Sequence, residues 1–346
     1  MEWVRGEVIG QGSFGRVNLA SVTKPNHVSS DTDTAVVVKS SHILNSSSLK
    51  NEKQVLVELG KCGRNIIQYL GDSISEENGS QYYNIFLEYA SKGSLWDHLR
   101  KSEVKFGISE VKRFTRGILK GLCDVHESGF VHCDVKLQNV LVFEDEEVKI
   151  ADFGLSRRVE DCKGNYGGQL RGTPLYMSPE MVAGTAGDVW AVGCAVVEML
   201  TGKPAWECSP GSDVSCLLYR IGVCGECPRI PEGVCDEGRD FISKCFLKDP
   251  KERWTVRMLL DHPFVSGYDD VVQLEKRFMS PRCPFEFPQW ESTENLSIGS
   301  GSIEYSFLQE LDIMCWSSVS SRFESELSSS NLVPTWDDSN EWISIR

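Results

Sequence analysis

The chain has 346 residues, 40% of them hydrophobic, and a formal charge of −14. That length supports two sizeable cores plus a tail, and the acidic balance argues against nucleic acid or an anionic membrane as the main partner. Thirteen cysteines, scattered and odd in number, follow no signal-peptide pattern, so free thiols in a reducing, intracellular setting are expected: the cytoplasm, with nuclear entry left open because no basic cluster stands out. Cys224-Gly225-Glu226-Cys227, with Cys235 and Cys245 beyond, invites a zinc reading, but the spacing is too loose to carry it. The most apolar segment, 191–200, is short and holds Glu198, so no membrane span is expected.

Alternation and turn signals predict strands over 4–9, 16–21, 35–39 and 84–88, a helix over 49–59 among them, and a polar surface loop over 25–34. The first two strands flank Gly10-Gln11-Gly12-Ser13-Phe14-Gly15-Arg16-Val17. Glycine lets backbone amides close over phosphates with no Cβ in the way. The same spacing occurs in dinucleotide folds, where a helix follows directly. Here a second strand follows, which favours a hairpin lid. Lys39 ends the apolar run Val36-Val37-Val38, where an unpaired ammonium would be costly. Beyond residue 91 the pattern turns helical. Val111, Phe114, Ile118, Leu122 and Val125 recur at spacings of three and four, one apolar stripe of a buried helix with Ser109 as its cap and Gly129 as its stop. The segment 188–202 is apolar nearly all round, as in a helix buried in the middle of a lobe. From Ser266 serine dominates, and from Tyr268 onward 5 basic and 14 acidic residues give 5 − 14 = −9. That composition predicts a mostly disordered acidic, serine-rich tail, while Trp290, Trp316, Trp336 and Trp342 predict short anchors within it.

Three strings stand out for their order and separation: Val36-Val37-Val38-Lys39, His132-Cys133-Asp134-Val135-Lys136-Leu137-Gln138-Asn139 and Asp152-Phe153-Gly154, ahead of Ser178-Pro179-Glu180. With the glycine-rich hairpin, they make the chain resemble eukaryotic serine/threonine protein kinases over 1–267. The resemblance implies an α+β, two-lobed protein kinase fold, with a β-rich N-lobe over about 1–90 and a helical C-lobe over about 91–267. Residues 268–346 would be a regulatory or docking tail. It implies ATP and Mg2+ as cofactors. ATP would contact Ile9, Gly10, Gln11, Gly12, Ser13, Phe14, Gly15 and Val17 of the hairpin, Lys39, the gatekeeper Leu87, Glu88 and Ala90 of the hinge, and Leu141. Lys39 would pair with Glu52, thirteen residues on, with Glu58 as the competitor. Asp134 would accept or orient the proton of the substrate hydroxyl, with Lys136 near the γ-phosphate. Asn139 and Asp152 would bind metal. Thr173 would hydrogen-bond Asp134 and Lys136, Glu180 would pair with Arg253, and Asp188 would anchor the catalytic-loop backbone.

One departure is informative. Such kinases commonly carry arginine where Cys133 stands, to pair with a phosphate on the activation loop, and cysteine cannot do so. Between Arg157 and Gly172 there is no serine or threonine, and Tyr166 is the only hydroxyl. Control by abundance, the tail or a partner is therefore expected, with phosphorylation of Thr173 or Ser156 as the alternative. The short Lys39–Glu52 spacing, the glycine loop, Gly172-Thr173-Pro174-Leu175-Tyr176-Met177-Ser178-Pro179-Glu180, and Ser280-Pro281-Arg282-Cys283-Pro284-Phe285-Glu286-Phe287-Pro288-Gln289-Trp290 narrow the resemblance to the plant MEKK-type MAP kinase kinase kinases. That group implies a MAP kinase kinase as protein substrate, a setting in stress or hormone signalling such as the abscisic acid response, and regulators that bind the tail. Two other classes stay open. A pseudokinase scaffold is opposed by the retained Lys39, Asp134, Asn139 and Asp152. A receptor-type kinase would need a membrane tether that the sequence does not display.

Overall fold

The computed structural model describes residues 2–12, 15–23, 36–60, 63–101, 105–163, 170–182, 187–208 and 213–266. The tail over 268–346, the loop over 25–34, Ser13, Phe14 and Tyr166 lie outside the described residues. The N-terminal strands β1 (Glu2–Gly12), β2 (Gly15–Thr23), β3 (Val36–His42), β4 (Tyr69–Glu77) and β5 (Ser80–Glu88) form one antiparallel sheet in the order β1-β2-β3-β5-β4. Side chains alternate across it. Val37 therefore joins the main core on one face, while Val36 and Val38 pack with Ala20 and Phe86 on the other. Trp3 covers this second cluster, its ring 5.2 Å from that of Phe86 in an edge contact. Burial on both faces is why β3 reads as a continuous apolar run rather than an alternating one.

Helix α1 (Ser47–Leu59) buries Leu49, Glu52, Val55, Leu56 and Leu59, one face of its cylinder. Strand β4 was not anticipated. It is polar, half-exposed and bulged between Tyr69 and Gly71, so it carries little alternation to read.

The C-terminal part is built on α2 (Leu95–Lys101), α3 (Ile108–Glu127), α4 (Pro179–Val182), α5 (Asp188–Thr201), α6 (Val214–Gly222), α7 (Asp236–Cys245), α8 (Val256–Leu260) and α9 (Pro263–Ser266). Helix α3 buries the whole predicted stripe. Its cap is Gly107 rather than Ser109: the Gly107 amide donates to Glu110 Oε2 at 2.9 Å, and Ser109 falls inside the first turn. A carboxylate reaching back three residues makes the boundary that a serine was expected to make. Helix α5 is buried almost throughout, Trp190 included.

Four short strands lie between α3 and α4. β6 (Phe130–Val131) pairs with β9 (Arg157–Arg158), and β7 (Val140–Val142) pairs with β8 (Val148–Ile150). The lobes are joined by more than the hinge. Ile67 donates to Ile150 O at 2.9 Å, and Ile150 donates to Asn65 O at 2.9 Å, so the chain leaving α1 is laced onto β8. Among the described residues no helix is long and apolar enough to cross a membrane.

Candidate active site

The glycine-rich segment is a tight hairpin. Gly10 pairs with Val17, Gln11 with Arg16 and Gly12 with Gly15, and Ser13 and Phe14 lie outside the described residues. Gly15 has φ +149°, and a Cβ there would stand 2.3 Å from the Ser40 carbonyl oxygen, so only glycine lets β2 start against β3. A Cβ on Gly12 would meet nothing within 4 Å. Protein packing does not demand glycine there; what it leaves is room for backbone to approach a ligand. Ile9 is exposed, while Val17 and Leu141 are half-buried against the core. Leu87 and Ala90 are buried where β5 runs into the hinge. Between them Glu88 takes both Lys149 Nζ, at 2.7 and 2.8 Å, and the Gln68 amide at 2.7 Å. That ion pair fixes the hinge to β8.

Lys39 Nζ lies 2.7 Å from Glu52 Oε2 and 2.8 Å from Asp152 Oδ1. One cation thus ties β3, α1 and the segment after β8, three elements far apart in the chain. Burial alone would pull the Lys39 ammonium down, but the Asp152 and Glu52 carboxylates outweigh it and hold it above the ordinary lysine range. Burial would push Asp152 up, and Lys39 holds it below the usual carboxylate range. Glu52 is fully buried, and burial raises it despite Lys39 and the Phe153 amide. Glu58, the alternative partner, pairs with Arg158 instead. Asp152 has φ +64°, a left-handed backbone that costs a non-glycine residue of order 1–3 kcal/mol and persists only where surrounding contacts impose it.

The catalytic-loop string wraps around Asp188 at the start of α5. Its carboxylate accepts the amides of His132 and Cys133, each at 2.8 Å, and His126 Nε2 at 2.8 Å. Burial would raise the Asp188 carboxyl; these donors hold it below its usual range. His132 donates through Nε2 to Ala151 O at 3.1 Å, accepts the Asp134 amide on Nδ1 at 3.2 Å, and stands edge-on to Phe153 with ring centres 4.8 Å apart. Cys133 is buried with φ +68°. Gly172, at φ +105°, passes so close that a Cβ on it would stand 2.6 Å from Cys133 O.

Asp134 Oδ1 therefore receives the Thr173 hydroxyl at 2.7 Å, while Oδ2 receives Asn139 Nδ2 at 3.0 Å and lies 3.4 Å from Lys136 Nζ. Lys136 Nζ also donates to Thr173 Oγ1 at 2.9 Å. The donor set fits a hard divalent cation. Asp152 offers a charged oxygen, and Asn139, its nitrogen taken by Asp134, offers its amide oxygen.

Behind the site, Arg253 pairs with both Glu180 oxygens, Nη2 to Oε2 at 3.0 Å, donates through Nε to Leu247 O at 2.9 Å, and lies over the Trp190 ring. Three residues near the site had no assigned role from sequence. His132 was read only as part of its string. Tyr176 donates to buried Glu198, and a lone acid in an apolar helix was the available signal. Asn51 Nδ2 reaches the carbonyls of Phe153, Gly154 and Ser156, and nothing in its neighbourhood in the chain announces that.

The protein kinase domain family matches residues 3–265. Mitogen-activated protein kinase kinase kinase 20 of Arabidopsis thaliana is 44% identical over 364 residues, covering 100% of both chains. Kinase kinase kinase 18 of the same plant is 33% identical over 100% of this chain and 99% of its own, and kinase kinase kinase 17 is 38% identical over 78% and 71%. Family match, fold and the arrangement of Lys39, Asp134 and Asp152 agree, and the chain belongs to the protein kinase family, as a serine/threonine kinase of the plant MEKK-like MAP kinase kinase kinase group.

Proposed function

We propose that this kinase transfers the γ-phosphoryl group of ATP to a serine or threonine hydroxyl of a MAP kinase kinase. The observation that carries the reading is the convergence of Asp134, Lys136 and Thr173 within 2.7–3.4 Å of one another. In the proposed step the substrate oxygen bonds to the γ-phosphorus, the bond to the β-phosphate oxygen breaks and ADP leaves. Asp134 takes the hydroxyl proton. Lys136, whose ammonium lies 3.4 Å from the same carboxylate, offsets charge on the moving phosphoryl group. Thr173 holds both side chains and would shape the peptide site for an aliphatic alcohol.

Lys39 orients the α- and β-phosphates while Glu52 keeps it in place. Ile9, Val17, Leu87, Ala90 and Leu141 surround the adenine, and the backbone of Gly10 to Gly15 covers the phosphates. Asp152 and Asn139 would hold Mg2+, which would supply positive charge against the phosphates when bound. The names of the relatives support the substrate class. A stress or hormone setting such as abscisic acid signalling, a cytoplasmic location, and tail-binding regulators over 268–346 follow from the resemblance to the plant group.

The test is incubation with radioactive ATP and a panel of kinase-dead MAP kinase kinases, followed by mapping of the labelled residues. Wild-type protein is expected to label serine or threonine, and Asp134→Asn to label about 10²–10⁴-fold more slowly. Equal labelling by Asp134→Asn would remove Asp134 from the reaction. Absence of label on every panel member would remove the substrate class.

A further inference from the structure

Besides Glu52, the amide of Asn51 reaches from α1 into the segment carrying Asp152. Its Nδ2 lies 3.3 Å from Phe153 O, 3.1 Å from Gly154 O and 3.0 Å from Ser156 O. An amide nitrogen has two hydrogens, so three carbonyls share them in a bifurcated arrangement, and only the nitrogen end of the amide can face such a set. The orientation is therefore dictated by chemistry. Around it α1 touches the same segment twice more. A Cβ on Gly154 would stand 2.2 Å from Ser48 Oγ, one turn before Glu52, and Glu58 near the end of the helix pairs with Arg158. Asp152, which these contacts follow in the chain, sits in left-handed backbone and depends on its surroundings to stay there.

We propose that Asn51 is a positioning residue that fastens the Phe153–Ser156 main chain to α1, so that a single helix sets both the Glu52 and the Asp152 partners of Lys39. Through this lock the described arrangement is held by side chains already in the sequence, with no added phosphate. The proposal rests on the kinase reading of the site and names one of its supports. Glu52 and Asp152 both bind Lys39, yet neither could report on the other if α1 and the Asp152 segment moved separately. Asn51 couples the two movements. When the lock is lost, the segment visits other arrangements, and nucleotide affinity falls by the fraction of molecules that remain competent.

The test compares full-length wild type with Asn51→Ala and Asn51→Asp. Alanine removes the donors. Aspartate keeps the shape but aims a carboxylate at three carbonyl oxygens. Two readouts are taken: steady-state kinetics with ATP, and hydrogen exchange of the amides over 153–159 in protein free of nucleotide and metal. Asn51→Ala is expected to raise KM for ATP about tenfold while kcat at saturation stays within about threefold, because bound nucleotide selects the competent arrangement. Asn51→Asp is expected to exceed that loss, and both variants to exchange faster over 153–159 than wild type, with α5 unchanged. Unaltered exchange over 153–159 in Asn51→Ala, or a loss confined to kcat, overturns the proposal. If Asn51→Asp fails to fold, Asn51→Ala decides alone. If wild type transfers no phosphoryl group, the functional reading fails while the exchange comparison still decides the lock.

Discussion

At the scale of single residues, Glu198 is the group with the clearest measurable consequence. It lies on α5, buried, with the Tyr176 hydroxyl donating to it and the Cys194 thiol nearby on the same helix. Burial pushes its carboxyl up to about 7, with the tyrosine hydrogen bond opposing that rise. In the unfolded chain it ionises near 4.5. Between those values the folded protein binds a proton that the unfolded chain has released, so stability falls as pH rises from about 4.5 to about 7 and then levels off. The full effect is about 3 kcal/mol. Glu198→Gln is expected to flatten the decline of Tm between pH 5 and pH 8, by on the order of 5–10 °C in a domain of this size. Parallel Tm–pH profiles for the two proteins would show that Glu198 titrates elsewhere.

At the scale of elements, the Glu180–Arg253 pair joins α4 to the turn before α8, 73 residues apart in the chain. Both side chains are largely buried. Arg253→Leu or Glu180→Leu alone should destabilise by about 3–5 kcal/mol, since each removes one partner of a largely buried ion pair, and the double variant by clearly less than the sum of the two. Additive losses in chemical denaturation would mean that the two side chains act independently. The pair was implied by the family resemblance, whereas β1, β2, β3, β5, α1, α3 and α5 were legible because each carries its own periodicity or lies beside glycine. β4 was not legible, for it turns Ile74 outward with Asp72 and Glu76 while Ser73 and Ser75 face inward, and its bulge breaks the alternation further. The start of α3 was misread because the capping carboxylate comes after the boundary and Ser109 looked like a cap. Asn51 was invisible because its partners are carbonyls some hundred residues away.

At the scale of the whole molecule, the lobes meet through the Lys39 triad, the hinge pair Glu88–Lys149 and the lacing of 65–67 onto β8. None of these contacts needs a phosphate. With Cys133 in the catalytic loop, and with no serine or threonine between Arg157 and Gly172, bacterially produced protein treated with phosphatase is expected to keep at least half of its activity. Loss of nearly all of it would make phosphorylation, at Thr173 or Ser156 among others, part of the switch. The sequence by itself determined the chemistry: residue types at fixed offsets along short strings, since a loop that must present Asp134, Lys136 and Asn139 together leaves few other spacings. It also determined which faces of the long helices are buried, through their periodicity. Only the tertiary structure decided which distant groups close the site. Asn51 against three carbonyls, Tyr176 against Glu198 and Glu58 against Arg158 rather than Lys39 are pairings between segments with no shared local pattern, and they exist only once the core has fixed how α1, β8 and α5 pack.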